Sequence, residues 1–244
     1  MRKIGKQPLR LSLIALMFIV VLSPLCSSVY AESEWYQVNL LIAYDEEWKA
    51  VAWSKYLYRP ETLAYIFVDD IGYEFYRIHR IVFRIAEYMM FDSEDGDYDS
   101  EWRLREAIRE TGFVSGQRQA GKVRHILIAF TAQRMWDAWG RANRTAGAVI
   151  VTELTWPHYT LNPEQYTDNI LQHELSHLYE CENHDIHGLQ CVMNVWREHY
   201  GDVLVCLQTN LWCSQCIETV NLNRAKWGEL SPSGGGGFYR HCLD

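Results

Sequence analysis

Two histidines four residues apart, with a glutamate directly after the first, constrain this 244-residue chain more than any other feature. In His173-Glu174-Leu175-Ser176-His177 the spacing calls for a helix, because residues four apart on an α-helix stand on one face, one turn above the other. The two imidazoles can then converge on a single point. The flanking sequence agrees with a helix. Pro157 and the turn-like pair Asn162-Pro163 precede it, and it is expected to run through Tyr166 and Ile170 to about Tyr179.

Converging imidazole nitrogens are ligands for zinc, at about 2.0–2.1 Å. Glu174 is rotated off the ligand face, so its carboxylate is free to hold a zinc-activated water. The ion brings the pKa of that water toward about 7 and polarises a carbonyl. The carboxylate can take the proton and hand it to a leaving amine, as general base and then general acid. The same pentapeptide can also arise on the surface of an ordinary helix, so the residues that follow decide. Zinc in hydrolases usually has three protein ligands and an open position. Downstream candidates for the third are His184, Asp185 and His187, with Glu198 or His199 at longer range, and Glu198 would give a thermolysin-like arrangement. Cys191-Val192-Met193-Asn194 comes next.

The segment His173 to Asn194 resembles the metzincin zinc peptidases, which carry two helix histidines, the glutamate, a third ligand and a methionine in a tight turn beneath the metal. Met193 matches that Met-turn residue. Within the metzincins the sequence is most similar to the archaemetzincin-like group, in which cysteines flank the methionine turn and a Cys-x-x-Cys pair follows. Here those are Cys191 and Cys213-Ser-Gln-Cys216.

Two departures from the family pattern stand out. The glycine expected three residues after the second histidine is Glu180, and a non-glycine residue in a left-handed turn costs about 1–2 kcal/mol, so the turn is expected to be built differently. The family's third histidine falls six residues after the second, where this chain has Asn183. A one-residue adjustment would deliver His184, which ranks first as third ligand, ahead of Asp185 and His187. Asp185 then stands where the family has a cysteine, which weakens the transfer of a second, four-cysteine zinc site, although Cys181 could substitute.

The rest of the chain fits an exported enzyme. Residues 1–31 carry Arg2, Lys3, Lys6 and Arg10, an apolar run from Leu11 to Leu22, and small residues ending at Ala31. This is the three-part pattern of a signal peptide cleaved after Ala31, with an uncleaved anchor as the alternative. The remainder has 19 Lys plus Arg against 31 Asp plus Glu, a net charge of −12. An acidic chain without a basic stripe is a poor nucleic-acid binder. In an oxidising compartment Cys181, Cys191, Cys213 and Cys216 are expected to form disulfides, with a structural zinc as the other reading. The redox reading of the Cys-x-x-Cys pair lacks a thioredoxin-like context.

Alternation at Tyr36, Val38, Leu40 and Ile42 predicts a first strand. Pro60 opens a helix with Leu63, Ile66, Phe67 and Ile71 on one face, and residues 80–91 read as a second strand. Glu101 to Thr111 reads as a helix ended by Gly112, and strands follow at 123–130 and 148–153; a further helix spans about 212–227. The fold class is α+β: a metzincin-like, mostly parallel twisted sheet of four to five strands covered by helices, then an active-site helix, a Met-turn and a helical C-terminal part. Domain bounds are 1–31 for the signal peptide, 32–230 for the catalytic domain and 231–244 for a Gly-rich tail. The ten tryptophans are assigned to the core.

These expectations add up to a secreted zinc metalloendopeptidase acting on protein or peptide substrates as a monomer. The resemblance implies that substrate lies extended along an edge strand near Gly140 to Asn143. The rival reading is a secreted non-catalytic binding protein on the same scaffold, with zinc structural or lost.

Overall fold

The computed structural model describes residues 34–119, 122–152, 163–195 and 209–231, and Trp35–Ser231 cluster as one unit. The expected signal peptide and Gly-rich tail therefore lie outside the described residues. None of the described helices is long and apolar enough to cross a membrane.

The sheet is built on β1 (Trp35–Tyr44), which pairs in parallel with β2 (Ile81–Met90) on one side and β5 (Ile126–Thr131) on the other. Beyond β5 lies parallel β7 (Ala148–Thr152), and antiparallel β6 (Gly140–Asn143) ends the path. The five strands of this path and their mostly parallel pairing agree with the expected sheet. Short β8 (Glu229–Ser231) adds a sixth, antiparallel to the start of β1. A two-residue ladder of β3 (Arg118–Gln119) and β4 (Lys122–Val123) stands apart.

The apolar runs of β5 and β7 are buried along their whole length, as strands covered on both faces must be. The alternation of side chains assigns each strand to two cores. Leu40, Ile42, Ile128, Phe130, Val149 and Val151 enter one core with α2 (Pro60–His79) and α4 (Pro163–Leu178). Leu41, Ala43, Leu127, Ala129, Ala148 and Ile150 enter the other, with Leu104 and Ala107 of α3 (Ser100–Thr111).

Local chemistry sets the helix ends. Asp45 caps α1 (Glu46–Val51) by accepting from Trp48 N at 2.7 Å, and Asp99 caps α3 through Trp102 N at 2.7 Å. Pro60 sits in the first turn of α2, and Gly112 ends α3 at φ +58°. The helix expected across 212–227 is the shorter α5 (Ser214–Asn223).

Candidate metal centre

Helix α4 is buried nearly all round, so its polar residues must find partners. Ser176 Oγ donates to Gln172 O at 2.7 Å and accepts from Trp212 Nε1 at 2.9 Å, while Gln172 Nε2 donates to Asn210 O at 2.7 Å. The loop before α5 is thereby tied to the back of the motif, which fixes the helix in rotation.

On the other face, His173 and His177 bring their Nε2 atoms to 3.2 Å from one another. Two nitrogens bound to one tetrahedral zinc stand about 3.3 Å apart. Each ring is held through its other nitrogen: His173 Nδ1 donates to Val192 O at 2.7 Å, and His177 Nδ1 to Cys181 O at 2.7 Å. Those bonds fix the tautomer, so both bare Nε2 lone pairs face the same point, an arrangement suited to a cation. Burial pushes His173 down to about 4, with His177 adding to the effect, and burial also lowers His177. Both rings are therefore neutral and able to ligate at neutral pH.

Glu174 is 8% exposed and lies against β6. A Cβ on Gly140 would stand 2.7 Å from Glu174 Cγ and 2.8 Å from its Oε1, so this close approach of strand to helix requires glycine. Burial pushes the Glu174 carboxyl up to about 8, with Arg141 pulling the other way. Arg144, at the end of the β6–β7 hairpin, donates to Cys181 O at 3.1 Å and pairs with Glu182, tying the hairpin to the turn after the helix. Gly140 and Arg144 lie 33 and 29 positions before His173, so their contacts with the motif come from the fold.

The turn itself corrects one expectation. Glu180 takes up the left-handed conformation at φ +71°, so a glutamate fills the glycine geometry rather than a differently built turn. It is braced by ion pairs to Lys226 and to Arg144, the latter at 3.5 Å.

His184, ranked first as third ligand beside the two histidines, lies elsewhere. Its backbone is bridged to the methionine turn, His184 N donating to Met193 O at 2.8 Å and His184 O accepting from Val195 N at 2.8 Å. This pairing turns the side chain away from the helix, and its Nε2 lies 3.1 Å from Cys216 Sγ and 3.5 Å from Cys213 Sγ. His184, Cys191, Cys213 and Cys216 present four donor atoms within 4.8 Å of one another. Cys191 and Cys216 Sγ are 3.8 Å apart, close to the roughly 3.8 Å that two thiolates on a tetrahedral zinc require.

All four described cysteines are free, so the expected disulfides among them are not formed. Cys181 stands outside the cluster, its Sγ turned 3.6 Å from Cys216 O, and His184 takes the place that had been assigned to it. Asp185 and His187 are exposed, while Glu198 and His199 lie outside the described residues. Met193 is fully buried in a turn closed by Asn194 N donating to Cys191 O at 2.9 Å, and the adjacent Val192 carbonyl holds His173.

The neighbour at the histidine pair is Asn183, whose side chain lies within hydrogen-bonding reach of both imidazoles.

Comparison with known proteins follows this geometry. An archaemetzincin from Methanopyrus kandleri shares the fold at a TM-score of 0.53 and 14% identity, covering 78% of this chain and 96% of that one. A zinc-dependent peptidase from Methanocorpusculum labreanum matches at 0.46 and 12%, covering 74% and 100%. A malonate-complexed archaemetzincin from Archaeoglobus fulgidus matches at 0.43 and 12%, covering 74% and 99%. No curated protein sequence matches. The family model of metallo-peptidase family M12 matches residues 35–210, a span that runs from the first strand past the histidine helix and the methionine turn, and the chain belongs to that family.

Proposed function

We propose that this protein is a secreted zinc metalloendopeptidase with Glu174 as general base and acid. The observation that carries the proposal is the pair of Nε2 lone pairs 3.2 Å apart with both Nδ1 atoms committed to carbonyls. When bound there, zinc supplies Lewis-acid polarisation of the scissile carbonyl and of a water. His173 and His177 hold the ion and remain neutral. With a cation at the histidine pair favouring its ionised form over the effect of burial, Glu174 would orient the attacking water, receive its proton on the carboxylate and return it to the leaving amine. Its dry pocket against Gly140 keeps that carboxyl in place and strengthens its hydrogen bonds.

Strand β6 ends the sheet path, so its outer edge can pair with an extended peptide in the manner of an added strand. Gly140 on that edge abuts Glu174, which supports a substrate backbone passing beside the motif. The N-terminal segment supports export. The Cys191, Cys213, Cys216 and His184 cluster supports a second, structural zinc.

A second reading, a secreted binding protein on this scaffold, is favoured by one observation, the asparagine at the family's third-ligand position. Cleavage of an unstructured protein substrate, with product ends mapped by mass spectrometry, distinguishes the two. Internal cleavage that stops with a chelator and returns with zinc supports the endopeptidase; zinc bound without cleavage of any substrate in a broad peptide library would turn the assignment to the binding protein.

A further inference from the structure

The histidine pair has two neighbours in sequence that compete for its third corner, and the backbone separates them. After the helix, Cys181 N donates to Ser176 O at 3.2 Å and closes the left-handed turn at Glu180. Three residues after Cys181, His184 is locked into its bridge with the methionine turn. Between these anchors lie Glu182, which pairs with Arg144, and Asn183, whose side chain interacts with both imidazoles. His184 thus faces the sulfurs and Asn183 the histidine pair. Moving His184 to the pair would break two backbone hydrogen bonds and take one donor from the cysteine cluster.

Asn183 is also suited by chemistry. Its amide carries an acceptor oxygen and a donor nitrogen that exchange places by rotation of the terminal group. It is exposed where His173 and Glu174 are buried, so it stands on the solvent side of the motif. We propose that Asn183 Oδ1 is the third protein donor to the zinc held by His173 and His177. The proposal rests on the zinc-peptidase reading and adds its ligand set.

An uncharged carbonyl oxygen is a harder and weaker donor for zinc than imidazole. The ion at the histidine pair is therefore held less tightly than the ion at the Cys-His cluster, and the chain carries one labile and one tight zinc. A histidine at this position would equalise them.

The test equilibrates the zinc-loaded full chain with chelators of graded affinity and counts the zinc retained per chain. Replacement of the released ion by Co2+ then reports its ligands by absorption. The expected result is one readily released zinc whose Co2+ substitute lacks a thiolate charge-transfer band. Asn183→Ala weakens that ion by about tenfold or more and Asn183→His tightens it by a similar factor. The tight ion, unchanged in both variants, reports that the fold is intact. A labile ion lost in His173→Ala but held with unchanged affinity in Asn183→Ala overturns this assignment and leaves the peptidase reading standing. A chain with no sulfur-free ion in any variant overturns both.

Discussion

Gly140 shows how little freedom the site leaves at the level of single residues. A methyl group there would stand 2.7 Å from Glu174 Cγ and 2.8 Å from Ile170 Cγ2, both packed inside the molecule. Gly140→Ala is therefore expected to displace the carboxylate and lower kcat/KM by about 10–100-fold. Zinc content measured alongside should not change, since the atoms nearest the added methyl belong to Glu174 and Ile170; an active variant would mean the carboxylate position is not critical. Glu180 is the opposite case, a residue that bears the cost of a left-handed φ with ionic bracing from Lys226 and Arg144. The histidine–glutamate–histidine spacing was legible in sequence because it is local to one helix. The direction of His184 was not legible, because it depends on backbone pairing with Met193 and Val195, nine and eleven residues away, which spacing alone cannot supply.

At the scale of elements, the motif helix is held from behind by an aromatic and polar seam. His79 at the end of α2 packs edge-on to Trp212 at 4.7 Å and tilts against Phe75 at 5.7 Å, while Trp212 donates to Ser176 within the motif. His79 Nδ1 donates to Asn221 Oδ1 at 3.0 Å, linking α2 to α5, and Nε2 has no partner among the described residues. Burial pushes His79 down to about 4, with Arg224 adding and Asn221 opposing. A histidine with a depressed pKa contributes stability in full above its unfolded value near 6.5 and loses it as the pH falls toward 4. Between pH 7 and pH 4.5 the loss from this residue is roughly 2–3 kcal/mol. Urea midpoints at the two pH values should differ less in His79→Phe than in the native chain, and an equal difference would remove His79 from the account. The strands and α2 were readable from alternation, from Pro60 and from apolar periodicity. The short α1 and β8 were not, since six and three residues hold too little pattern. β6 was reached only through the resemblance, because its four residues gain their meaning from pairing with β7.

For the molecule as a whole, two donor clusters divide the work. The Cys-His cluster joins the segment after the active-site helix, the methionine turn and the start of α5. His184→Ala should retain one zinc of two and lower the Tm by about 5 °C or more, since structural zinc contributes folding free energy directly. Retention of both ions in that variant would remove His184 from the cluster. The central claim is that Glu174 performs proton transfer beside an ion held by His173 and His177. Its most direct test is peptide turnover by Glu174→Gln, a variant that keeps the shape of the side chain and removes its basicity, with zinc per chain measured on the same sample. The account predicts native zinc content with kcat lowered by about 100-fold or more; full turnover by the zinc-loaded variant would contradict it.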